Sequence, residues 1–316
     1  MRPSFSKIPE DFIDVLDNCA SLIDEETVKP NKRTEILSDP LPSLLEQCKE
    51  LSKVPADCSD TIRTIHHFAC TGGTLVAKCI ASMPNTQVIS EAQPHSQMVA
   101  VREQRFAPTD LIHLVRASSR GSTTELDSKI FNAGLDVLFE DCRSKGISLV
   151  LRDHAHSKYC TGKEILNVPS LLNTIRPKRS LQSIVTVRHP LDSFLSLENN
   201  DWKHFEPFTL AEYSRRYLKF LRDHRELQII KYEDLVEDPE TWMRSLCARL
   251  DIGFNNAFMA MIGVHRLSGD SGRSASRIAK RAPREINESV TAELTGSNES
   301  YRALCNELGY PAHIEC

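Results

Sequence analysis

The chain has 316 residues, 40% of them hydrophobic and 26% charged, with a formal net charge of -4. That length buries one large core, the composition is that of an ordinary soluble protein, and the mild acidity argues against general attraction to nucleic acid or anionic membranes. The ten cysteines occur without a C-x-x-C pair, so neither a disulfide framework nor a zinc ribbon is expected, and most read as small buried apolar residues.

The N-terminus, MRPSFSKIPEDFIDVLDNCA, carries acids where a signal peptide needs an apolar run. No later segment approaches the roughly 20 apolar residues of a membrane helix, so no membrane partner and a cytoplasmic location are expected. Residues 8 to 25 read as a helix, and a second is predicted from Pro42 to about Ser52. Residues 1–55 are therefore a helical N-terminal extension, and 56–316 the main domain.

From Thr61 the pattern changes to strands alternating with helices. Strands are predicted at 61–68, 86–90, 147–153, 181–188 and 227–232. Helices between them include 124–143, with Phe131, Leu135 and Leu138 on one face, and 209–222, with Leu210, Tyr213, Tyr217 and Phe220 on one face. This alternation predicts an α/β fold, a mostly parallel sheet flanked by helices. Ligands of such sheets bind outside the C-terminal strand ends, which makes the residues there the candidates.

The first strand runs into Cys70-Thr71-Gly72-Gly73-Thr74-Leu75 and then a helix, the order of a phosphate cradle, although a tight turn reads equally simply. The G-K-[ST] of nucleotide triphosphatases is missing. The second strand delivers Glu91; the third delivers Arg152, Asp153, His154 and His156; the fourth delivers Arg188 and, eight residues on, Ser196. His154 and His156 are two satisfied histidines or a metal pair, and since no third ligand has convincing spacing, no metal is expected. Arg273, Arg277, Lys280, Arg281 and Arg284 crowd one C-terminal stretch, either a solvated basic face or a grip for an anion with several oxygens.

Taken in order, the Gly-Gly-Thr loop, TVRHPLDSFLS, KYEDLVEDPETWMRSLCARLDI and the glycine- and arginine-containing C-terminal stretch resemble sulfotransferases that use 3'-phosphoadenosine 5'-phosphosulfate, over roughly residues 61 to 284. KYEDL followed by its acidic, proline-marked helix start is similar to soluble bacterial members. The resemblance implies that the loop Cys70 to Leu75 holds the 5'-phosphate through backbone N–H groups and the Thr71 and Thr74 hydroxyls. It implies that Arg188 and Ser196 grip the 3'-phosphate, that Arg273 and Arg277 close over the nucleotide, and that no metal is needed. The fold it implies is the P-loop nucleotide-binding fold of that family.

Sulfuryl transfer asks the protein to align acceptor, sulfur and leaving oxygen and to neutralise charge. The resemblance makes His154 the first candidate for the general base and Glu91 its rival, with Arg152 where a lysine touches the donor; a histidine suits that work at neutral pH. Asp153 or His156 is the candidate to orient the working histidine. Cys70 departs from the family, which often carries Lys or Arg there, a charge worth about 2.7 to 4 kcal/mol if it acts as an oxyanion donor does. Arg152, ahead of Lys78, is the expected substitute. The expected acceptor is a small molecule, its pocket built from residues 92–146 and 157–180. Residues 215–224, RRYLKFLRDH, are an acceptor or homodimer surface, or by default a solvated helix face. The alternatives are a P-loop kinase and a non-catalytic nucleotide-binding protein of the same fold.

Overall fold

Each of the five apolar runs forms a strand: β1 (Thr61–His67), β2 (Thr86–Ala92), β3 (Ser148–Asp153), β4 (Ser180–Val187) and β5 (Gln228–Lys231). The computed structural model describes residues 61–98, 109–265, 267, 278–280, 284–296 and 298–312. The helical extension read over residues 1–55, and Arg273 and Arg277, lie outside them. The strands make one sheet in the order β2-β3-β1-β4-β5, every pairing parallel, with Thr64 opposite Leu151 on one side and Ser183 on the other.

The helices are α1 (Gly73–Ala81), α2 (Leu111–Arg116), α3 (Thr124–Ser144), α4 (Ala155–Tyr159), α5 (Leu171–Ile175), α6 (Pro190–Asn199), α7 (Leu210–Asp223), α8 (Tyr232–Glu237), α9 (Pro239–Leu250), α10 (Phe258–Met261), α11 (Glu288–Thr295) and α12 (Glu299–Leu308). Local chemistry explains their starts. Thr123 and Thr209 accept the amides of Leu126 and Glu212 at 3.1 Å, capping α3 and α7, each cap worth about 1 kcal/mol. Pro190 and Pro239 open α6 and α9 where a missing N–H costs nothing. Tyr232, read as the end of the fifth strand, instead begins α8.

In β4 the pleat sends Ile184 into a cluster with Val76 and Ile80 of α1 and Trp242 and Leu246 of α9. Val185 and Val187 point the other way, into a cluster with α6, α7 and α12. There the stripe Leu210, Tyr213, Tyr217 and Phe220 is fully buried, and Tyr217 stacks on Phe68 with ring centroids 4.5 Å apart. Opposite it Arg215, Lys219 and Arg222 are exposed, whereas Arg216 turns inward to Glu212 Oε1 and to the carbonyls of Tyr159, Gly162 and Lys163. The charge run at 215–224 thus has one exposed face and one buried clamp. No described helix is long and apolar enough to cross a membrane.

Candidate functional site

At the C-terminal edge of the sheet lies a cavity of about 390 Å³. Its wall includes Cys70, Gly72, Gly73, Thr74 and Leu75 from the loop and helix start after β1, Glu91 from β2, Arg152 from β3 with His154 just after it, Arg188 just after β4, and Ser196 from α6. Parallel strands carry their C-terminal loops to one edge, which is why residues scattered over more than a hundred positions meet here.

The loop works through its glycines. Gly72 is the N-cap of α1 at φ 89, a left-handed conformation. A Cβ on Gly72 would lie 2.3 Å from the Tyr232 ring, and one on Gly73 would lie 2.2 Å from the His67 ring. The backbone therefore runs against two aromatic side chains at the start of a nine-residue helix, whose positive end faces the cavity. Cys70 also takes positive φ, 63, and Asn200 Nδ2 approaches its sulfur at 3.8 Å. Thr71 differs from expectation: it is fully buried, is not part of the cavity wall, and its hydroxyl donates to the Phe68 carbonyl at 2.8 Å. Of the two loop hydroxyls, only that of Thr74 belongs to a residue of the wall.

Arg188 and Ser196, two turns apart across the β4–α6 junction, are both buried and both in the wall. The Arg188 guanidinium lies 5.0 Å from the Tyr232 ring centroid and 3.6 Å from Asp192 Oδ2. Ser196 Oγ accepts from Arg284 Nη2 at 3.3 Å, while Arg284 Nη1 donates to the Asp192 carbonyl at 3.2 Å. Arg284, one of the five cations read in the C-terminal basic stretch, thus meets Ser196, although the resemblance assigned the nucleotide only to Arg273 and Arg277 there.

The two rival bases form one unit. Glu91 sits at φ 63 in a bulge of β2, between the register positions of Ile89 and Ala92, and that bulge aims its side chain into the cavity. One oxygen, Oε1, pairs with Arg152 Nη1 at 2.6 Å; the other, Oε2, accepts from His154 Nε2 at 2.9 Å. Arg152 Nη1 also donates to Ser90 Oγ (2.7 Å), and Nη2 to His67 Nε2 (3.0 Å). Burial, reinforced by the Arg152 charge, holds the His67 pKa well below its ordinary value, so the neutral ring accepts at Nε2. Its Nδ1 is then a buried donor without partner among the described residues. The expected orienting roles do not materialise: Asp153 faces the opposite side of β3 and pairs with His66 at 2.9 Å, and His156 Nε2 meets His204 Nδ1 at 3.0 Å.

The cavity wall also includes Met98, His156, Trp202 and His204. Trp202 lies edge-on to His156 at 5.9 Å between ring centroids. Burial, then the neighbouring His154 and His204, push His156 down to about 3, so His156 is neutral at neutral pH. Lys78, one turn beyond the loop on α1, also lines the cavity and is buried. Sequence reasoning missed His67, Asn200, Trp202 and His204. For His67 the signal was available, since it ends the strand before the loop; the other three follow a helix, at no strand end.

The chain matches the sulfotransferase family over residues 68–256. Among solved structures it is similar to the sulfotransferase domain from the curacin biosynthetic pathway, with 16% identity, 79% of this chain and 98% of that one covered, and a TM-score of 0.48. It is also similar to the sulfotransferase domain from the Synechococcus PCC 7002 olefin synthase, with 17% identity, coverage of 79% and 95%, and a TM-score of 0.46. Mouse sulfotransferase SULT7A1 complexed with PAP has 16% identity, coverage of 83% and 81%, and a TM-score of 0.33. No curated protein matches the chain.

Proposed function

The chain belongs to the sulfotransferase family, and on that premise we propose that it transfers a sulfuryl group from 3'-phosphoadenosine 5'-phosphosulfate to a hydroxyl or amine of a small-molecule acceptor, without a metal in the reaction. The observation that carries this reading is the shared cavity of the glycine loop and the buried pair Arg188 and Ser196, two anion anchors at the ends of neighbouring strands. The residues present fit a bisphosphorylated nucleotide. A helix N-terminus offers N–H groups at one anchor; Arg188, Ser196 and Arg284 offer donors at the other.

The donor supplies the activated sulfuryl group; the chain supplies position, charge and a proton acceptor. Glu91 takes the Nε2 proton of His154 in a hydrogen bond, which fixes the tautomer and leaves Nδ1 as the nitrogen that accepts the acceptor's proton. Glu91 then stabilises the imidazolium as it forms. Arg152 is less able to replace the missing loop cation than the sequence suggests, because Glu91 balances its charge at 2.6 Å. Met98, Trp202 and the neutral His156 line the cavity and favour an acceptor without charge next to its nucleophile.

Arg188→Ala should weaken 3',5'-adenosine bisphosphate by about 10- to 150-fold, the range of one charge-assisted contact, and Ser196→Ala by about 5-fold. Calorimetry on both variants checks this. Unchanged affinity in both would remove the 3'-phosphate assignment and with it the donor.

A further inference from the structure

Behind the cavity, on the opposite pleat of the same strands, is a second cluster that the proposed reaction does not use. His66 follows the alternation of β1 away from His67, Asp153 that of β3 away from Arg152, and His224 caps the C-terminus of α7. All three are buried, at 0%, 1% and 2% exposure, and one donor atom from each lies within 4.8 Å of the others.

The hydrogen bonds fix what the cluster presents. His224 Nδ1 lies 2.8 Å from the Phe220 carbonyl, which can only accept, so Nδ1 carries the proton and Nε2 a lone pair. That Nε2 has no partner among the described residues, and neither has Asp153 Oδ1. Two buried acceptors of the cluster are thus left without a donor among the described residues. His66 Nδ1 is 2.9 Å from Asp153 Oδ2, and its Nε2 is 2.9 Å from Thr64 Oγ1, which is 2.6 Å from Ser183 Oγ. In the tautomer with its proton on Nε2, His66 donates to Thr64 and the Thr64 hydroxyl to Ser183, and Nδ1 presents a lone pair beside Asp153 Oδ2. Lys158, the neighbouring cation, is paired with Asp223 at 3.9 Å.

We propose that His66, Asp153 and His224 bind one divalent transition ion of the zinc class, joining β1 and β3 to the end of α7. Two imidazoles and one carboxylate suit a borderline ion, whereas calcium and magnesium demand oxygen ligands. The ion takes the Nδ1 lone pair of the neutral ring, whose one proton then sits on Nε2, and the Thr64–Ser183 pair holds that ring as an outer shell. The position is structural: the ion would stiffen the strand ends that carry His67, Arg152 and His154, and its presence does not depend on which nucleotide the cavity takes.

The test uses the full-length, tag-free protein, purified without chelator, with metal content measured by inductively coupled plasma mass spectrometry. About one equivalent of a first-row transition metal per chain is expected, lost in His224→Gln and kept in His156→Gln. Wild-type protein stripped by chelator should take up Co²⁺ at one equivalent with visible absorption bands, and added Zn²⁺ should raise its melting temperature. Absence of metal in the purified protein together with no uptake of Co²⁺ or Zn²⁺ by the stripped wild type would overturn the proposal, as would metal retained in His224→Gln or lost in His156→Gln.

Discussion

Gly72→Ala tests the loop on which the nucleotide reading rests. The residue sits at φ 89, and forcing an L-residue into left-handed backbone costs about 1–2 kcal/mol. The new Cβ would lie 2.3 Å from Tyr232 Cδ2, over 1 Å inside an ordinary contact of about 3.5 Å, so the ring must shift. Overpacking of that kind costs about 1–3 kcal/mol. Together the two terms remove about 2–5 kcal/mol, which at about 2–4 °C per kcal/mol for a domain this size lowers the melting temperature by roughly 4–20 °C. Because the same ring lies under the Arg188 guanidinium at 5.0 Å, a displaced Tyr232 also disturbs the second anchor. The assay is a thermal melt beside a titration with 3',5'-adenosine bisphosphate, and both should worsen. A variant that melts within about 1 °C of wild type and binds the nucleotide equally well would show that the loop is not held as described.

Acid sensitivity follows from His156, whose folded pKa is pushed down to about 3 while the unfolded ring titrates near 6.5. Its contribution is complete above the unfolded value and is lost as pH falls through the window from about 6.5 to about 3, so wild type should lose up to about 2 kcal/mol from this ring between pH 7 and pH 5. Urea denaturation of wild type and His156→Gln at both pH values checks it, and an equal loss in the two proteins would refute it. Arg284→Ala should weaken the bisphosphate about 10-fold without changing the fold, because the guanidinium reaches Ser196 Oγ from outside the sheet; calorimetry and circular dichroism read the two effects.

The sheet was legible because its strands are short apolar runs bounded by turns, and because every run ended in polar residues that parallel topology had to bring together. Arg188 and Ser196 were singled out through the family resemblance, and they meet in one cavity wall because a strand-end residue and one eight positions later lie about two helical turns apart. Other features depend on three dimensions. The joining of Glu91 to both Arg152 and His154 needs a bulge in β2 that no residue pattern announces. The Thr71 hydroxyl turns to its own loop, a local competition between side chain and backbone that the motif conceals. Asp153 looks like part of the site in sequence, and a single step of the pleat carries it to the other face, where it pairs with His66.

The central claim is a donor site with two phosphate anchors and no need of metal. Titration of the wild-type protein with 3',5'-adenosine bisphosphate in EDTA, beside ATP with Mg²⁺, addresses it directly. The account predicts micromolar binding of the bisphosphate without metal and much weaker binding of ATP. Binding of ATP with Mg²⁺ and none of the bisphosphate would contradict it and favour a kinase.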